Sequence, residues 1–282
     1  MEYVLRTFGL TRRYKGVPVV DGVNMNIRRG EIYGFVGRNG AGKTTVMRLV
    51  CGLIAKSGGA YELFGKPDTS SAVLAARRRT GAIIETPSVY PEMTAERNLT
   101  EQCLTLGIGT EGIPGLLDYV GLGSAGKKKA RNFSLGMRQR LGIAMSLVGS
   151  PDFLILDEPV NGLTILISSH ILGELAKLAT CYGFIEKGKL LKEISAADLE
   201  ETCRKSVRIE VSSAEKLPLI LERGLGICDF KILSPTEAEI YENVKIGELA
   251  LALHAGGVEL LRVREKDEDL EGYFLNLVGG AA

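Results

Sequence analysis

The sequence predicts an α/β protein: a mixed, mostly parallel core sheet carrying a helical insertion, followed by a small α+β domain. Three observations carry that expectation. Glu31 to Val36, Phe153 to Leu156 and Thr164 to Ile167 are short apolar runs, the pattern of parallel strands buried on both faces. A glycine-rich turn, Gly37 to Thr44, leads from the first run into the helix-like Thr44 to Cys51, giving strand, loop, helix. Past about Ala196 the texture changes to the alternation Val207-Arg208-Ile209-Glu210-Val211, which suits a half-exposed strand.

Taken in order, Val4 to Phe8 and Val23 to Ile27 read as two short strands ahead of the glycine turn. From Glu85 to Gly149 the pattern is helical, with Thr94 capping a segment that ends near Leu106 and Ser134 capping one that ends near Val148. Gly107 to Gly126 between them is glycine-rich and weakly patterned. In the last third, Ala238 to Tyr241 suggests a strand, and Leu270, Tyr273, Phe274 and Leu277 form one face of an amphipathic helix. Acidic flanks mark that stripe as docking surface or core rather than a membrane anchor. The expected domains are therefore 1–195, with a helical subdomain over about 85–149, and 196–282.

Composition narrows the function. A net charge of +1, from 35 Lys+Arg against 34 Asp+Glu, gives no global field to recruit nucleic acid, so none is expected as a partner. Five scattered cysteines without a Cys-x-x-Cys spacing point to neither a disulfide framework nor a zinc site, and to the reducing cytosol. No apolar run reaches the roughly 18 residues that a membrane helix needs, so any membrane role requires another chain to do the spanning.

The sharpest signal is Gly37-Arg38-Asn39-Gly40-Ala41-Gly42-Lys43-Thr44, which fits G-x-x-x-x-G-K-[ST] between a buried strand and a helix, with Thr45 next in that helix. Glycines let successive backbone N–H groups turn toward phosphate oxygens, and the helix start adds its positive dipole end. Lys43 is the fixed charge for the outer phosphates and the Thr44 hydroxyl a ligand for Mg²⁺. Phe153-Leu154-Ile155-Leu156 ends in Asp157-Glu158, adjacent carboxylates at the end of a strand where such sheets bind ligands. Asp157 is the second candidate for Mg²⁺, and Glu158 the candidate for polarising an attacking water.

Asn132-Phe133-Ser134-Leu135-Gly136-Met137-Arg138-Gln139 resembles the signature motif of ATP-binding-cassette ATPases, and motif order over nearly all of residues 1–195 agrees with that family. The resemblance implies ATP and Mg²⁺ as cofactors and two cassettes that sandwich two nucleotides. Ser134 and Gly136 of one cassette then serve the nucleotide of the other. It also implies that Tyr14 stacks on adenine, that His170 contacts the γ-phosphate, and that Glu85 stands where the family usually has a glutamine sensing γ-phosphate and Mg²⁺. Glu85-Thr86-Pro87 with Tyr90-Pro91, the Ser-Leu-Gly-Met signature and the ending Asp269 to Leu275 resemble the bacitracin and lantibiotic exporter branch. For that branch the implied activity is ATP hydrolysis powering export of an antimicrobial peptide or similar amphipathic compound. The permease is a separate membrane chain, contacted by the segment Glu85 to Leu106, which holds the ATPase on the inner face of the membrane. Soluble cassette ATPases of nucleic acid or ribosomes are the alternative; they usually carry two cassettes or a long coiled-coil insertion, and this sequence has neither.

One departure stands out. Parallel neighbours in a sheet need a crossover of a dozen or more residues, whereas only Pro159 to Leu163 separate Asp157-Glu158 from Thr164. In the family an aspartate and a helix follow the equivalent of Asn161-Gly162-Leu163. The sequence thus implies residues missing after Leu163 or a true deletion. A true deletion is expected to spare nucleotide binding and to damage the dimer contact and hydrolysis.

Overall fold

The computed structural model describes residues 2–157, 164–168, 175–242, 244–266 and 270–279. They form two compact units, Met1–Ala196 and Ala197–Ala282.

In the first unit two sheets and the first two helices share one core. β1 (Tyr3–Tyr14), β2 (Val17–Val23), β3 (Asn26–Arg28), β5 (Gly58–Leu63) and β6 (Lys66–Pro67) make an antiparallel sheet. The central sheet has the order β11-β10-β4-β9-β8-β7. Its strands are β4 (Ile32–Val36), β7 (Thr80–Ile83), β8 (Phe153–Asp157), β9 (Thr164–Ser168), β10 (Cys181–Glu186) and β11 (Lys189–Ser195). All neighbours in it are parallel except the hairpin β10–β11. One apolar cluster joins Leu5 and Leu10 of β1, Met47 and Val50 of α1 (Lys43–Val50), Ala76 of α2 (Ala72–Arg77), and Phe153, Ile155 and Leu166 of the central sheet. Burial on both faces is why these strands read as continuous apolar runs.

The Val23 to Ile27 expectation is corrected. Val23 ends β2 and Asn26 begins β3, and the two pair with different parts of β1, Leu10 with Val23 but Arg6 with Asn26. At the break the Asn24 side chain accepts a hydrogen bond from Gly9 N at 2.7 Å, and Thr7 binds the backbone of Val23 and Met25. The chain changes partner there, which alternation of apolar residues cannot reveal.

The helical segment matches its caps. α3 (Ala95–Leu106) starts where the Thr94 hydroxyl accepts from Arg97 N at 3.1 Å. It ends where Gly107 adopts φ 71° and Ile108 N bonds back to Cys103 O, a left-handed cap that favours glycine. α5 (Leu135–Leu147) starts on Ser134, whose hydroxyl accepts from Met137 N at 3.3 Å. Between them lies α4 (Ile113–Tyr119), unmarked in the sequence except by a proline in its first turn. Leu99, Leu117, Leu141 and Ala144 bring the three helices together in their own core.

The second unit is an antiparallel sheet ordered β13-β14-β12-β15, from β12 (Ser206–Val211), β13 (Phe230–Ser234), β14 (Glu237–Ile240) and β15 (Leu260–Lys266). α6 (Ala196–Thr202) leads into it, α7 (Leu217–Leu219) connects β12 to β13, α8 (Ile246–Ala255) connects β14 to β15, and α9 (Leu270–Gly279) comes last. This is the split β-α-β-β-α-β arrangement. β12 alternates as the sequence suggests, with Ile209 and Val211 in the core formed with Leu221, Leu249 and Leu253. Leu270, Tyr273 and Phe274 of α9 are buried, so that stripe is spent within the protein rather than on a membrane.

Candidate nucleotide site

The glycine loop comes directly after β4, and three neighbouring strands end beside it. Phe35 pairs with Ser168 of β9, and Ser168 with Asp157 of β8, so Gly37, the end of β9 and Asp157 share the C-terminal edge of the sheet. At a strand spacing of about 4.8 Å, β8 lies about 10 Å from β4.

The loop itself is a cradle that only glycine can line. Gly40 and Gly42 have φ of 80° and 107°. A Cβ on Gly37 would lie 2.5 Å from Ile185 O, and one on Gly42 would lie 2.7 Å from Val19 O. The loop is fixed from behind: Gly188 N donates to Ala41 O at 2.9 Å and Asp21 N to Gly188 O at 2.8 Å. Arg38, Asn39 and Gly40 remain exposed, whereas Ala41 and Gly42 are buried. Gly42 is the N-cap of α1, and Lys43, Thr44 and Thr45 form its first turn, half-buried. The Lys43 ammonium folds back over the loop to donate to Gly37 O at 2.5 Å and Arg38 O at 3.2 Å. A glycine loop with positive φ, a helix start and a cation over it suit a polyphosphate carrying a divalent metal. Gly42→Ala is expected to cost about 1–3 kcal/mol, since a residue with a Cβ is strained at that φ and here also meets the Val19 carbonyl. A melting curve shifted down by a few degrees, together with weakened nucleotide binding, is the check.

The other sequence candidates divide. Asp157 closes β8 at the edge described above. Glu158 and His170, and the Asn161-Gly162-Leu163 departure, lie outside the described residues. β8 and β9 are direct parallel neighbours, paired from Phe153 with Thr164 to Asp157 with Ser168, so the parallel arrangement stands with only 158–163 between the strands. Ser134 and Gly136 open a different helix, α5, with both residues exposed and nothing within 4 Å of a Cβ placed on Gly136. Such an end is available to an anion from another molecule. Tyr14 ends β1 with 43% of its surface exposed.

Three side chains that the sequence did not single out organise these groups. Arg12 lies against the Tyr14 ring, its guanidinium carbon 4.4 Å from the centroid, and donates to Ala55 O at 2.7 Å, so the ring is held on one face. Arg48 of α1 grips the Glu85 carboxylate at 2.8 Å. Asn98, fully buried in α3, accepts from Tyr90 N at 2.7 Å and donates to Tyr90 O and Thr94 O, fixing the loop after Glu85. That loop, β7, α3 and α5 enclose a groove of about 420 Å³, rimmed by the exposed Leu53 and Tyr90. Cys51, which lines it behind α1, is a neutral thiol: burial pushes its pKa up to about 12 against the opposing pull of Arg77.

The family model described as ABC transporter matches residues 20–161. The chain is 37% identical to the bacitracin transport ATP-binding protein BcrA of Bacillus licheniformis over 305 residues, covering 99% of each. It is 40% identical to the lantibiotic transport ATP-binding protein SrtF of Streptococcus pyogenes over 210 residues, covering 67% of this chain and 90% of that one. A solved ATP-binding subunit of an ABC transporter superposes with a TM-score of 0.65 at 25% identity, over 71% of this chain and 92% of the other. The alignment with BcrA spans 305 positions against 282 residues here, which leaves at least 23 positions of that relative without a counterpart in this chain.

Proposed function

The chain belongs to the ABC transporter family, as an ATP-binding and ATP-hydrolysing subunit that powers export, and we propose that its cargo is an antimicrobial peptide or similar amphipathic compound carried by a separate permease. The ATPase part of this reading is supported by the glycine cradle at the end of β4, with Lys43 over it and the end of β8 on the same edge, and the cargo by the likeness to BcrA and SrtF. When bound, Mg²⁺–ATP would supply a transferable phosphoryl group and a cation that offsets its negative charge.

The chain's own residues divide the work of binding and hydrolysis in this reading. Backbone N–H groups of the glycine loop and the first turn of α1 hold the phosphates, and Lys43 offsets the charge that builds on the outer ones. Thr44 and Asp157 hold the metal, and Glu158 draws a proton from the attacking water. Tyr14, steadied by Arg12, offers its open face to the adenine. His170 meets the terminal phosphate. The exposed start of α5, with Ser134 and Gly136, faces the nucleotide of a second cassette, so that ATP closes a pair and hydrolysis reopens it.

The permease does the spanning, and the chain works from the inner face of the membrane; among the described residues no helix is long and apolar enough to cross one. The groove beside Glu85 is the permease contact in this reading, because an apolar rim at Leu53 and Tyr90 leads into the loop that is tied to α1. Tyr90→Arg and Leu53→Glu should lower export by about tenfold or more, the size of effect typical of an interface anchor, while ATP affinity stays within about twofold. Transport and nucleotide binding are measured together with the permease present. Export at the wild-type level in both variants would remove this groove as the contact.

A further inference from the structure

The turn that joins β10 to β11 meets the glycine loop backbone to backbone. Glu186 pairs with Lys189, so only Lys187 and Gly188 lie between, with φ of 47° and 80°. Two successive left-handed residues make the tight hairpin turn that suits twisted strands. Gly188 is buried, and it is bonded on both sides. Its N–H donates to Ala41 O of the glycine loop at 2.9 Å, and its carbonyl accepts from Asp21 N of β2 at 2.8 Å. Both glycines of this contact face one carbonyl, that of Val19: a Cβ on Gly188 would lie 2.5 Å from it, and one on Gly42 2.7 Å. A side chain at either position has no room.

Peptide geometry carries the contact into the loop. In a planar trans peptide the carbonyl and the next residue's N–H point in opposite directions. Fixing Ala41 O on Gly188 therefore turns Gly42 N–H away from the hairpin. That N–H is the last of the loop before α1, whose first residue is Lys43. The other end of the hairpin is anchored too. Glu193 of β11 accepts from the hydroxyl of the fully buried Tyr33 in β4 at 2.8 Å, and from Asn26 N and its side chain at 2.9 and 3.2 Å. Because β4 is the strand that leads into the loop, the hairpin is tied to the site at both ends.

We propose that Gly188 is a positioning residue for phosphate binding: by holding Ala41 O it aims Gly42 N–H at the phosphates. A side chain at 188 pushes the turn off Val19 and lets the Ala41–Gly42 peptide swing. The contact with phosphate rests on the glycine loop being the nucleotide site; the bond between turn and loop does not.

The test uses Gly188→Ala, Gly188→Asn and, as a control at the other end of the hairpin, Glu193→Gln, each in the full chain. Tripolyphosphate, which has no base, displaces a fluorescent ATP analogue in the presence of MgCl₂, and Kd is read together with the bound fraction. Gly188→Ala should weaken tripolyphosphate and ATP by the same factor, about tenfold or more, the fold-change that a hydrogen bond to a charged group contributes. Exchange of the Asp21 amide, measured without nucleotide, should speed up about two- to tenfold in the same variant. Glu193→Gln should lower the melting temperature yet leave both affinities within about twofold. Asparagine tolerates the left-handed turn but carries the same Cβ, so Gly188→Asn should bind as weakly and serves if the alanine variant fails to fold. A glycine of purely structural value would give a smaller bound fraction at an unchanged Kd, and that result overturns the proposal. So does a loss of affinity in Glu193→Gln as large as in Gly188→Ala. Failure of tripolyphosphate to displace the analogue from the wild-type chain overturns the loop as the phosphate site, and the proposal with it.

Discussion

Lys43→Ala should lower ATP turnover by about 10²–10³-fold, the loss seen when one preorganised charge or donor is removed from a transition state. Nucleotide affinity should fall as well, by about 10–100-fold, because a charge-assisted hydrogen bond contributes about 1.5–3 kcal/mol. The Lys43 ammonium already reaches over the loop, to Gly37 O and Arg38 O. Arginine at 43 would not substitute, since a planar fork on a longer stem cannot fold into the same cradle. Titration of the fluorescent analogue and a phosphate-release assay separate the two effects. Turnover within tenfold of wild type would show that the cradle is not the seat of hydrolysis.

Glu158→Gln should produce the opposite split. Turnover is expected to fall by about 10²–10⁴, the range ascribed to a positioned general base, with ATP affinity nearly unchanged. The amide keeps the size and hydrogen-bonding capacity of the carboxylate but cannot take a proton. ATP should therefore accumulate on a closed pair of cassettes, visible as a nucleotide-dependent shift to twice the mass on size exclusion. Normal turnover in this variant would take Glu158 out of the role. The position carries added weight because Glu158 opens the connection to β9, which is far shorter than a helical crossover, while BcrA has at least 23 positions that this chain lacks.

Much of this was legible one residue at a time. The glycine spacing, the apolar run into Asp157 and the caps at Thr94 and Ser134 are local signals, because a φ above zero, a strand buried on both faces and a first helical turn each constrain the residue type where they occur. α1, α3 and α5 lie where those signals put them. What the sequence hid involves partners far away along the chain. The split of Val23 to Ile27 between β2 and β3 depends on which part of β1 each meets. Asn98 looks like an ordinary polar residue of a helix until its amide is found clamping Tyr90.

Sequence by itself therefore marked the candidates: a glycine loop with its lysine, the carboxylate at the end of a buried strand, and a second helix start capped by a serine. Each is written in a few consecutive residues, since glycine, lysine and a capping serine act through their own backbone and reach. Tertiary structure decided how those parts are joined. That Arg48 holds Glu85, that Arg12 backs Tyr14, and that Pro87 fills the space left by Gly142 are pairings set by which strands and helices pack together. Such contacts arise from the burial of whole elements, and no spacing in the chain encodes them.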